Sequence, residues 1–331
     1  MSAPPPSAAA PPASAVTIVE GALRLEALRL IRVRGADAAS FLHGQLTQDF
    51  KLLGLSEARL AALCSAKGRM LASFVGFKRS HEEVWLACRR DLQGATLKRL
   101  SMFVLRAQAR LDAPEAELAL IGLAGAAAGT AVSGDVAAQP VWSQRRIAGD
   151  ASLVRLPDAA GRPRWLWAGP AEAAEPLLAA LPALAPSAWD WLEVRSGIAP
   201  VVAATVEAFV PQMLNYELVG GVNFQKGCYP GQEVVARSQY RGTLKRRTQL
   251  LRAELPMAPG QEVWWSGDAG QPSGLVAFAA PAPDGGHDAL VELKLAALDG
   301  GSLHLGTADG PPLARLSLPY TVPASAETSL G

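Results

Sequence analysis

The sequence has few cysteines and almost no net charge, and each shortage excludes a class of protein. Three cysteines (Cys64, Cys88 and Cys228) are too few for a disulfide framework, and their odd number leaves at least one thiol free. This usage fits a reducing cytoplasm. Lysine and arginine number 31 against 30 acidic residues, so no overall field draws the chain to nucleic acid or to an anionic membrane.

Long hydrophobic runs and targeting segments are also missing. The longest uncharged run, residues 118–134, is short for a membrane span, and its Gly and Ala content predicts a buried strand followed by a small-residue helix. Residues 1–15 are rich in proline and have no basic region, which excludes a signal peptide and predicts a disordered tail. We therefore expect a cytoplasmic protein with no membrane partner.

Half of the residues are hydrophobic, and the length of 331 residues suits two domains. Residues 16–242 mix predicted helices and strands, with a second lobe near 116–184, and form an α+β body. From residue 243 to 323 short β-runs alternate with Gly, Pro and Asp turns, which predicts a small antiparallel barrel or sandwich. Residues 324–331 are expected to fray.

Several local elements of the body follow from periodicity and capping signals. Asp37 is expected to cap a short amphipathic helix that reaches residue 46. The spacing of Ser187 and Asp190 resembles a capping box and predicts a helix that ends at Gly197. The other predictions are strands at 59–65, 70–78 and 103–111, and helices at 91–100 and 171–181.

The most informative segment is residues 222–237. Gly227 permits a sharp turn, and Pro230 suits the first turn of a helix that is predicted over 230–237. Cys228 then lies just before a helix N-terminus, two positions from Lys226, and both the helix dipole and the cation favour its thiolate form. The plainer interpretation is a strand–turn–helix connection in which the cysteine only packs.

The residues Lys-Gly-Cys-Tyr-Pro-Gly-Gln-Glu-Val-Val-Ala-Arg, at 226–237, resemble the signature of the YgfZ family. These folate-binding, iron–sulfur-related proteins are built like the glycine cleavage T-protein, an aminomethyltransferase. Phe-Leu-His-Gly-Gln-Leu-Thr-Gln-Asp at 41–49, Lys-Gly-Arg at 67–69 and Phe-Val-Pro-Gln at 209–212 with Asn215 resemble further family segments. The resemblance covers nearly everything from residue 21 to 320.

This resemblance implies two intertwined ferredoxin-like lobes and a C-terminal antiparallel β-barrel around a central channel that holds tetrahydrofolate. It also implies a role in the assembly or repair of iron–sulfur enzymes, including one that methylthiolates tRNA. Carried over by position, Cys228 is the reactive thiol and Lys226 its partner. The residues implied to bind the cofactor are Asp49, Gln212, Asn215, Asn223, Tyr229, Gln232, Glu233, Arg237 and Arg241.

One departure from the family pattern concerns the pterin contact. Folate-binding relatives often have Glu-Ala-Gly where this chain has Arg195, Ser196 and Gly197, and there the acid contacts the pterin ring. Arginine cannot accept hydrogen bonds from pterin donors. Either Glu193 or Glu233 substitutes for that acid, or pterin recognition differs in this chain.

A basic run follows the signature and comprises Arg237, Arg241, Lys245, Arg246 and Arg247. It suits the glutamate tail of a folate, the phosphates of an RNA or protein-bound substrate, or simply a solvated face. Few aromatic residues are interleaved with it, so sequence-specific reading of nucleic acid is not expected.

The four histidines have no ligand spacing, and no metal site is predicted. A Cys–His hydrolase would need a base beside Cys228 in space, and only His43 lies in a family-like segment.

The leading hypothesis is a tetrahydrofolate-binding accessory factor whose partners are iron–sulfur client enzymes or assembly factors. The alternatives are a folate-dependent aminomethyl- or methyltransferase, in which Cys228 is structural, and a non-catalytic docking module. The catalytic aspartate of the T-protein has no certain counterpart here, and Asp49 is only a candidate.

Overall fold

The structure, a computed structural model, describes residues 19–134, 138–240 and 244–323. The predicted tails at 1–15 and 324–331, the boundary near residue 242 and the candidate Arg241 lie outside these ranges. Within them the chain forms two five-stranded sheets and a closed barrel. No helix in the described ranges has both the length and the apolar character that crossing a bilayer requires.

The body contains ten strands and six helices in the described ranges. In chain order they are β1 (Gly21–Arg24), β2 (Leu28–Arg34), α1 (Ala38–His43), β3 (Ala58–Cys64), β4 (Met70–Ser80), β5 (Glu83–Arg89), α2 (Arg90–Ser101), β6 (Arg110–Asp112), β7 (Leu118–Ala124), α3 (Ala126–Ser133), β8 (Gln144–Ile147), β9 (Ala151–Ala159), β10 (Arg162–Pro170), α4 (Ala174–Ala179), α5 (Pro186–Arg195) and α6 (Gln232–Tyr240).

The two sheets of the body exchange their first strands. One sheet has the order β3-β4-β5-β2-β6, and the other has the order β1-β7-β10-β9-β8. Strand β1 therefore pairs with β7, with Gly21 opposite Ala124, whereas β2 pairs with β5 in the other sheet. Only a short turn separates β1 from β2, so the chain ties the two lobes together near its start.

Strand β7 and helix α3 form the predicted unit of a buried strand and a small-residue helix. Six of the seven residues of β7 are buried. Gly129 of α3 lies against the Trp165 ring of β10, and a Cβ at this position would come within 2.5 Å of that ring. The small residues of the uncharged run therefore allow the helix to pack closely on its sheet.

The C-terminal domain is a closed antiparallel barrel of six strands. They are β11 (Arg246–Ala253), β12 (Glu262–Trp265), β13 (Gly274–Pro281), β14 (His287–Lys294), β15 (Leu303–Leu305) and β16 (Pro312–Leu316). The order β11-β14-β13-β12-β15-β16 closes because β16 pairs back onto β11. Helix α5 packs on β13 and β14 and so connects the body to the barrel.

Three local predictions were wrong in their details. The strand expected at 103–111 is only β6, because Phe103 and Leu105 lie at the surface rather than in a sheet. Helix α1 ends at His43 instead of residue 46. The Asp37 carboxylate does not cap α1 but accepts the backbone N–H of Gln108 at 2.7 Å.

The helices near 171–197 also differ from expectation. Helix α4 is confined to Ala174–Ala179 after a 3₁₀ turn at Ala171–Ala173. Helix α5 starts at Pro186, so Ser187 lies inside the helix and forms no capping box. A proline at the first helical position needs no N–H partner and supplies the start signal instead. Gly197, with φ of +75°, follows the helix end as predicted.

Candidate functional site

Residues 220–231, the signature segment, contain the first half of the 226–237 signature and pack against the loop that follows helix α1. The backbone N–H of Asn223 donates to the Thr47 carbonyl at 2.9 Å, and the Thr47 hydroxyl donates to the carbonyl of Gly221 at 2.7 Å. The Gln48 amide donates to the Gly220 carbonyl at 2.7 Å. Two segments that are more than 170 residues apart in the sequence are therefore held together by buried and partly buried hydrogen bonds.

Lys226 joins these two segments through its side chain. Its ammonium donates to the carbonyls of Leu46, at 2.8 Å, and of His43. The carbonyls at the end of a helix lack partners and carry the negative end of its dipole, so a cation there is stabilising. Burial lowers the pKa of Lys226 to about 8, against the opposing effect of charges on Asp49 and Cys228. Lys226 thus closes helix α1 while remaining electrostatically coupled to Cys228.

Cys228 is the exposed thiol of the three cysteines. Helix α6 begins at Gln232, two residues later than predicted, so Cys228 lies four residues before the helix instead of two. Cys64 and Cys88 are buried in the core, and burial raises the pKa of each thiol to about 12. Among the cysteines, the chemistry of a thiolate is therefore accessible at Cys228.

His43 and Asp49 form a hydrogen-bonded pair next to Gly227, the residue before Cys228 in the turn at residues 227–231, the Cys228 turn. The His43 Nδ1 lies 3.0 Å from Oδ1 of Asp49, which also accepts the Leu52 N–H at 2.9 Å. Burial by itself would raise the pKa of Asp49, but the hydrogen bonds from Leu52 and His43 lower it overall. On the other side of the ring, a Cβ at Gly227 would lie 3.2 Å from Nε2. The pair therefore contacts the signature segment directly.

A cleft with a cavity volume of about 70 Å³, partly open to solvent, lies between the two sheets of the body. The Arg164 guanidinium, almost fully buried, holds the Glu193 carboxylate at 2.7 Å and lies 5.3 Å from the centre of the Trp189 ring. All three residues line the cleft, together with mainly apolar side chains. Glu193 is thus placed at the cleft, whereas Glu233 is exposed on α6 and is not among the lining residues.

The cleft and the signature segment are separated by a common wall, which is formed by Tyr216 and Leu60. Cys228 does not line the cleft. Tyr216 and Leu60 do line it, and both also lie against Gly221, where a Cβ would come within 2.5 Å of the Tyr216 ring and 3.1 Å of Leu60. A shift of the Tyr216 ring would therefore displace the backbone of the signature segment at Gly221.

Comparison with known proteins places the chain in a family. No protein-family model matches the sequence. A tRNA-modifying protein YgfZ from Edwardsiella ictaluri (strain 93-146) is 33% identical over 300 residues, which span 83% of this chain and 85% of that protein. A tRNA-modifying protein YgfZ from Yersinia pestis (strain Pestoides F) is 29% identical over 287 residues, which span 85% of this chain and 86% of that one. This chain belongs to the YgfZ family.

The fold class predicted from the resemblance is confirmed by a solved structure. The glycine cleavage system aminomethyltransferase T from Bartonella henselae superposes with a TM-score of 0.73, covering 91% of this chain and 86% of that one. The sequence identity is 18%, so the match concerns the fold alone. Of the two architectures left open for the C-terminal domain, the barrel is correct.

In this YgfZ-family protein, Gln212 and Asn215 lie in the junction between the body, helix α6 and the barrel. Both are fully buried. The Gln212 amide donates to the Val235 carbonyl at 2.7 Å, and that of Asn215 donates to the Thr248 carbonyl at 3.0 Å. Asn215 adopts a left-handed conformation with φ of +59°. These contacts position the elements around the signature, and neither residue lines the cleft.

The remaining signature residues divide into buried and exposed positions. The Tyr229 ring is buried, with the Lys226 ammonium 4.5 Å from its centre. The Asn223 side chain accepts the N–H of Gln225 at 2.8 Å and shapes the turn. The other three residues lie on α6. Gln232 is half-buried, and Glu233 and Arg237 are exposed.

Two of the four described cations in the basic run of this YgfZ-family protein are paired with acidic neighbours. Arg247 is buried and forms an ion pair with Glu217. Arg246 pairs with Glu292 on β14. Within the described part of the run, exposed cations remain at Arg237 and Lys245. Arg246 and Arg247 therefore contribute to the junction of body and barrel.

Sequence reasoning gave little weight to His43 and none to Arg164. A histidine six residues before an aspartate, in a segment that resembles the family, was the available signal for the His43–Asp49 pair. Arg164 has no such signal, because it reaches Glu193 from β10 in the other lobe.

Proposed function

We propose that this protein is a cytoplasmic accessory factor that binds tetrahydrofolate in the central cleft and supports iron–sulfur enzymes, including one that methylthiolates tRNA. The observation that carries the proposal is the Glu193 carboxylate, held by Arg164 at the wall of a mainly apolar cleft. The names of the relatives, tRNA-modifying proteins, support the link to tRNA.

The side chains that line the cleft suit a reduced pterin in their chemistry. Its aromatic and aliphatic walls, which include Phe74, Trp142 and Leu166, match a flat ring system. The ring edge presents N–H donors, which a carboxylate accepts. Glu193 Oε1 is engaged by Arg164, whereas Oε2 has no hydrogen-bond partner within the described residues. Glu193 would therefore hold the pterin edge, and the bound folate would carry a one-carbon unit.

Arg195 does not serve this purpose, since it lies on the other side of α5. Its guanidinium pairs with Asp288 of the barrel and lies 5.7 Å from the centre of the Trp191 ring. The departure from the Glu-Ala-Gly pattern is thus compatible with folate binding, because an acid is supplied two residues earlier by Glu193.

Cys228 would supply the reactive group. Iron–sulfur clusters are held by thiolates, so an exposed thiol suits transient contact with a cluster or a persulfide that a client enzyme or assembly factor carries. Tyr216 and Leu60 line the cleft and also lie against Gly221, which supports a link between the proposed folate cleft and the segment that carries this thiol.

Titration calorimetry with tetrahydrofolate tests the cleft. Glu193→Gln removes the charge that accepts the pterin donors and is expected to weaken binding by about tenfold to a hundredfold. Glu233→Gln is the matched control on exposed α6 and is expected to bind like the wild type. Equal affinity of wild type and Glu193→Gln, or no binding by the wild type, would contradict the folate proposal.

Complementation tests the thiol. In cells that lack the protein, Cys228→Ser is expected to leave tRNA methylthiolation unrestored although the variant folds. Full restoration by Cys228→Ser would remove the thiol from the proposed function. Turnover of an aminomethyl donor with tetrahydrofolate by the wild type would favour the transferase alternative instead.

A further inference from the structure

The imidazole of His43 lies between a carboxylate and the turn that carries the exposed thiol. Its Nδ1 is 3.0 Å from Asp49 Oδ1. Its Nε2 faces Gly227, where a Cβ would be 3.2 Å away, and Cys228 is the next residue. Within the described residues Nε2 forms no hydrogen bond. One ring nitrogen is therefore fixed, and the other is presented to the Cys228 turn.

Asp49 determines which nitrogen of the ring can accept a proton. An ionised carboxylate accepts hydrogen bonds only, so in the neutral ring Nδ1 carries the hydrogen and Nε2 carries the lone pair. The backbone N–H of Leu52 also donates to Asp49 Oδ1 and keeps the carboxylate in place. Histidines oriented in this way by a third group are the usual proton acceptors for cysteine nucleophiles.

We propose that His43, oriented by Asp49, is the proton acceptor for the Cys228 thiol. The S–H bond of Cys228 breaks and an N–H bond forms at Nε2, so that a thiol and a neutral imidazole become a thiolate and an imidazolium. Asp49 then stabilises the imidazolium through the contact that it already makes. This inference rests on the proposed role of Cys228 as the reactive group.

Lys226 contributes charge to this cluster without taking the proton. Its ammonium already donates to the carbonyls of His43 and Leu46 and is buried behind the Tyr229 ring. It carries no acceptor when charged. The nearby cation favours the thiolate once formed, whereas His43 provides the basic nitrogen.

The rate of alkylation by iodoacetamide at pH 7, followed by intact mass on the full chain, tests the proposal. Cys64 and Cys88 are buried, so Cys228 is the reacting thiol and Cys228→Ser is the blank. His43→Gln is expected to slow alkylation about tenfold, and Asp49→Asn by a smaller factor. Lys226 contacts the backbone carbonyl of residue 43, so His43→Gln keeps that contact. His81→Gln, at an exposed turn, is the matched control.

A second measurement does not depend on a variant at His43. Nitrogen chemical shifts of the His43 ring at pH 7 report its protonation, and Cys228→Ser is expected to lower the imidazolium fraction. Alkylation of His43→Gln within twofold of the wild-type rate, or an unchanged His43 ring in Cys228→Ser, would overturn the proposal. Either result leaves the thiol role intact, since that role fails only if Cys228→Ser restores tRNA methylthiolation.

Discussion

Arg195 and Asp288 form an ion pair on the barrel side of helix α5, with the guanidinium Nη1 3.3 Å from the carboxylate Oδ2. Asp288 is fully buried and also accepts the indole N–H of Trp191 at 2.8 Å. Glu193, two positions before Arg195, faces the cleft instead. Residues two apart on a helix point in nearly opposite directions, so one helix both anchors the barrel and supplies the carboxylate of the cleft.

The Arg195–Asp288 pair predicts the effect of restoring an acid at position 195. Arg195→Glu places two carboxylates together at a buried site and is expected to lower the free energy of unfolding by about 3 kcal/mol. It should not raise affinity for tetrahydrofolate, because position 195 does not line the cleft. Urea unfolding and calorimetry measure the two effects, with Arg195→Gln as the milder comparison. Tighter folate binding without loss of stability would show that Arg195 reaches the cleft.

The buried ammonium of Lys226 predicts a dependence of stability on pH. Its pKa is about 8 in the folded chain and near 10.5 when unfolded. Between these values the unfolded state binds more protons, so the free energy of unfolding rises with pH. The neutral amine retains two N–H donors for the carbonyls of His43 and Leu46. Below pH 8 Lys226 is charged in both the folded and the unfolded state, so the full free-energy cost of burying the ammonium is present.

Lys226→Met isolates this contribution, because the other titrating groups are common to both proteins. The stability of the wild type relative to Lys226→Met is expected to be constant from pH 6 to 7.5 and to increase from pH 8 to 10. Urea unfolding across this range measures it. A stability difference that does not change with pH would mean that the ammonium is solvated.

The packing of the signature turn against the hairpin of β3 and β4 predicts that Gly231 cannot be replaced. It has φ of +80°, and a Cβ would lie 2.3 Å from the Ser65 carbonyl oxygen and 2.7 Å from the backbone of Gly68. Gly231→Ala is expected to destabilise the protein by about 3 kcal/mol or more.

Gly220→Ala is the matched control, since Gly220 has φ of +77° but no atom within 4 Å of its Cβ position. It should show only the backbone strain of about 1–2 kcal/mol. Thermal and urea unfolding of both variants measure the two losses of stability, and their difference is the cost of the steric clash at position 231. Equal losses at the two positions would argue against the contact with the hairpin.

The burial of two cysteines predicts how many thiols react in the native protein. Of the three thiols, Cys228 alone should react rapidly with a disulfide reagent at pH 8, because burial raises the pKa of Cys64 and Cys88 to about 12. All three should react in urea. Thiol titration before and after unfolding gives the number of reactive thiols in each state. Cys228→Ser should reduce the number of fast-reacting thiols in the native protein to zero. A second fast thiol in the native chain would contradict the burial.

Local patterns predicted much of the fold because capping, turn and alternation signals lie within a few residues of each other. Strand β7 with helix α3, the strands β3 and β4, and the succession of short strands and turns that forms the barrel were predicted in this way. The failure at 103–111 has the same origin. Apolar residues such as Leu105, which is 87% exposed, alternate like those of a half-buried strand, and sequence alone does not report exposure.

The site was less predictable because its contacts join distant parts of the chain. The signature predicted that Lys226 and Cys228 act together, but not that the ammonium would donate to the His43 carbonyl at the end of helix α1, 183 residues away. The choice between Glu193 and Glu233 depended on which face of α5 meets the cleft. That orientation is set by the hydrogen bond between Trp191 and Asp288 of the barrel. The amino-acid sequence around α5 does not reveal this contact, because Asp288 is 97 residues away.

The closure of the barrel also limits how another protein can use it. Within residues 244–323 each of the six strands pairs with a strand on both sides, so the barrel has no edge strand. The ready-made template that an edge strand offers to an added strand is therefore missing from this part of the chain. Recognition of this domain must come from side chains and connecting loops, which makes its selectivity open to change by single surface substitutions.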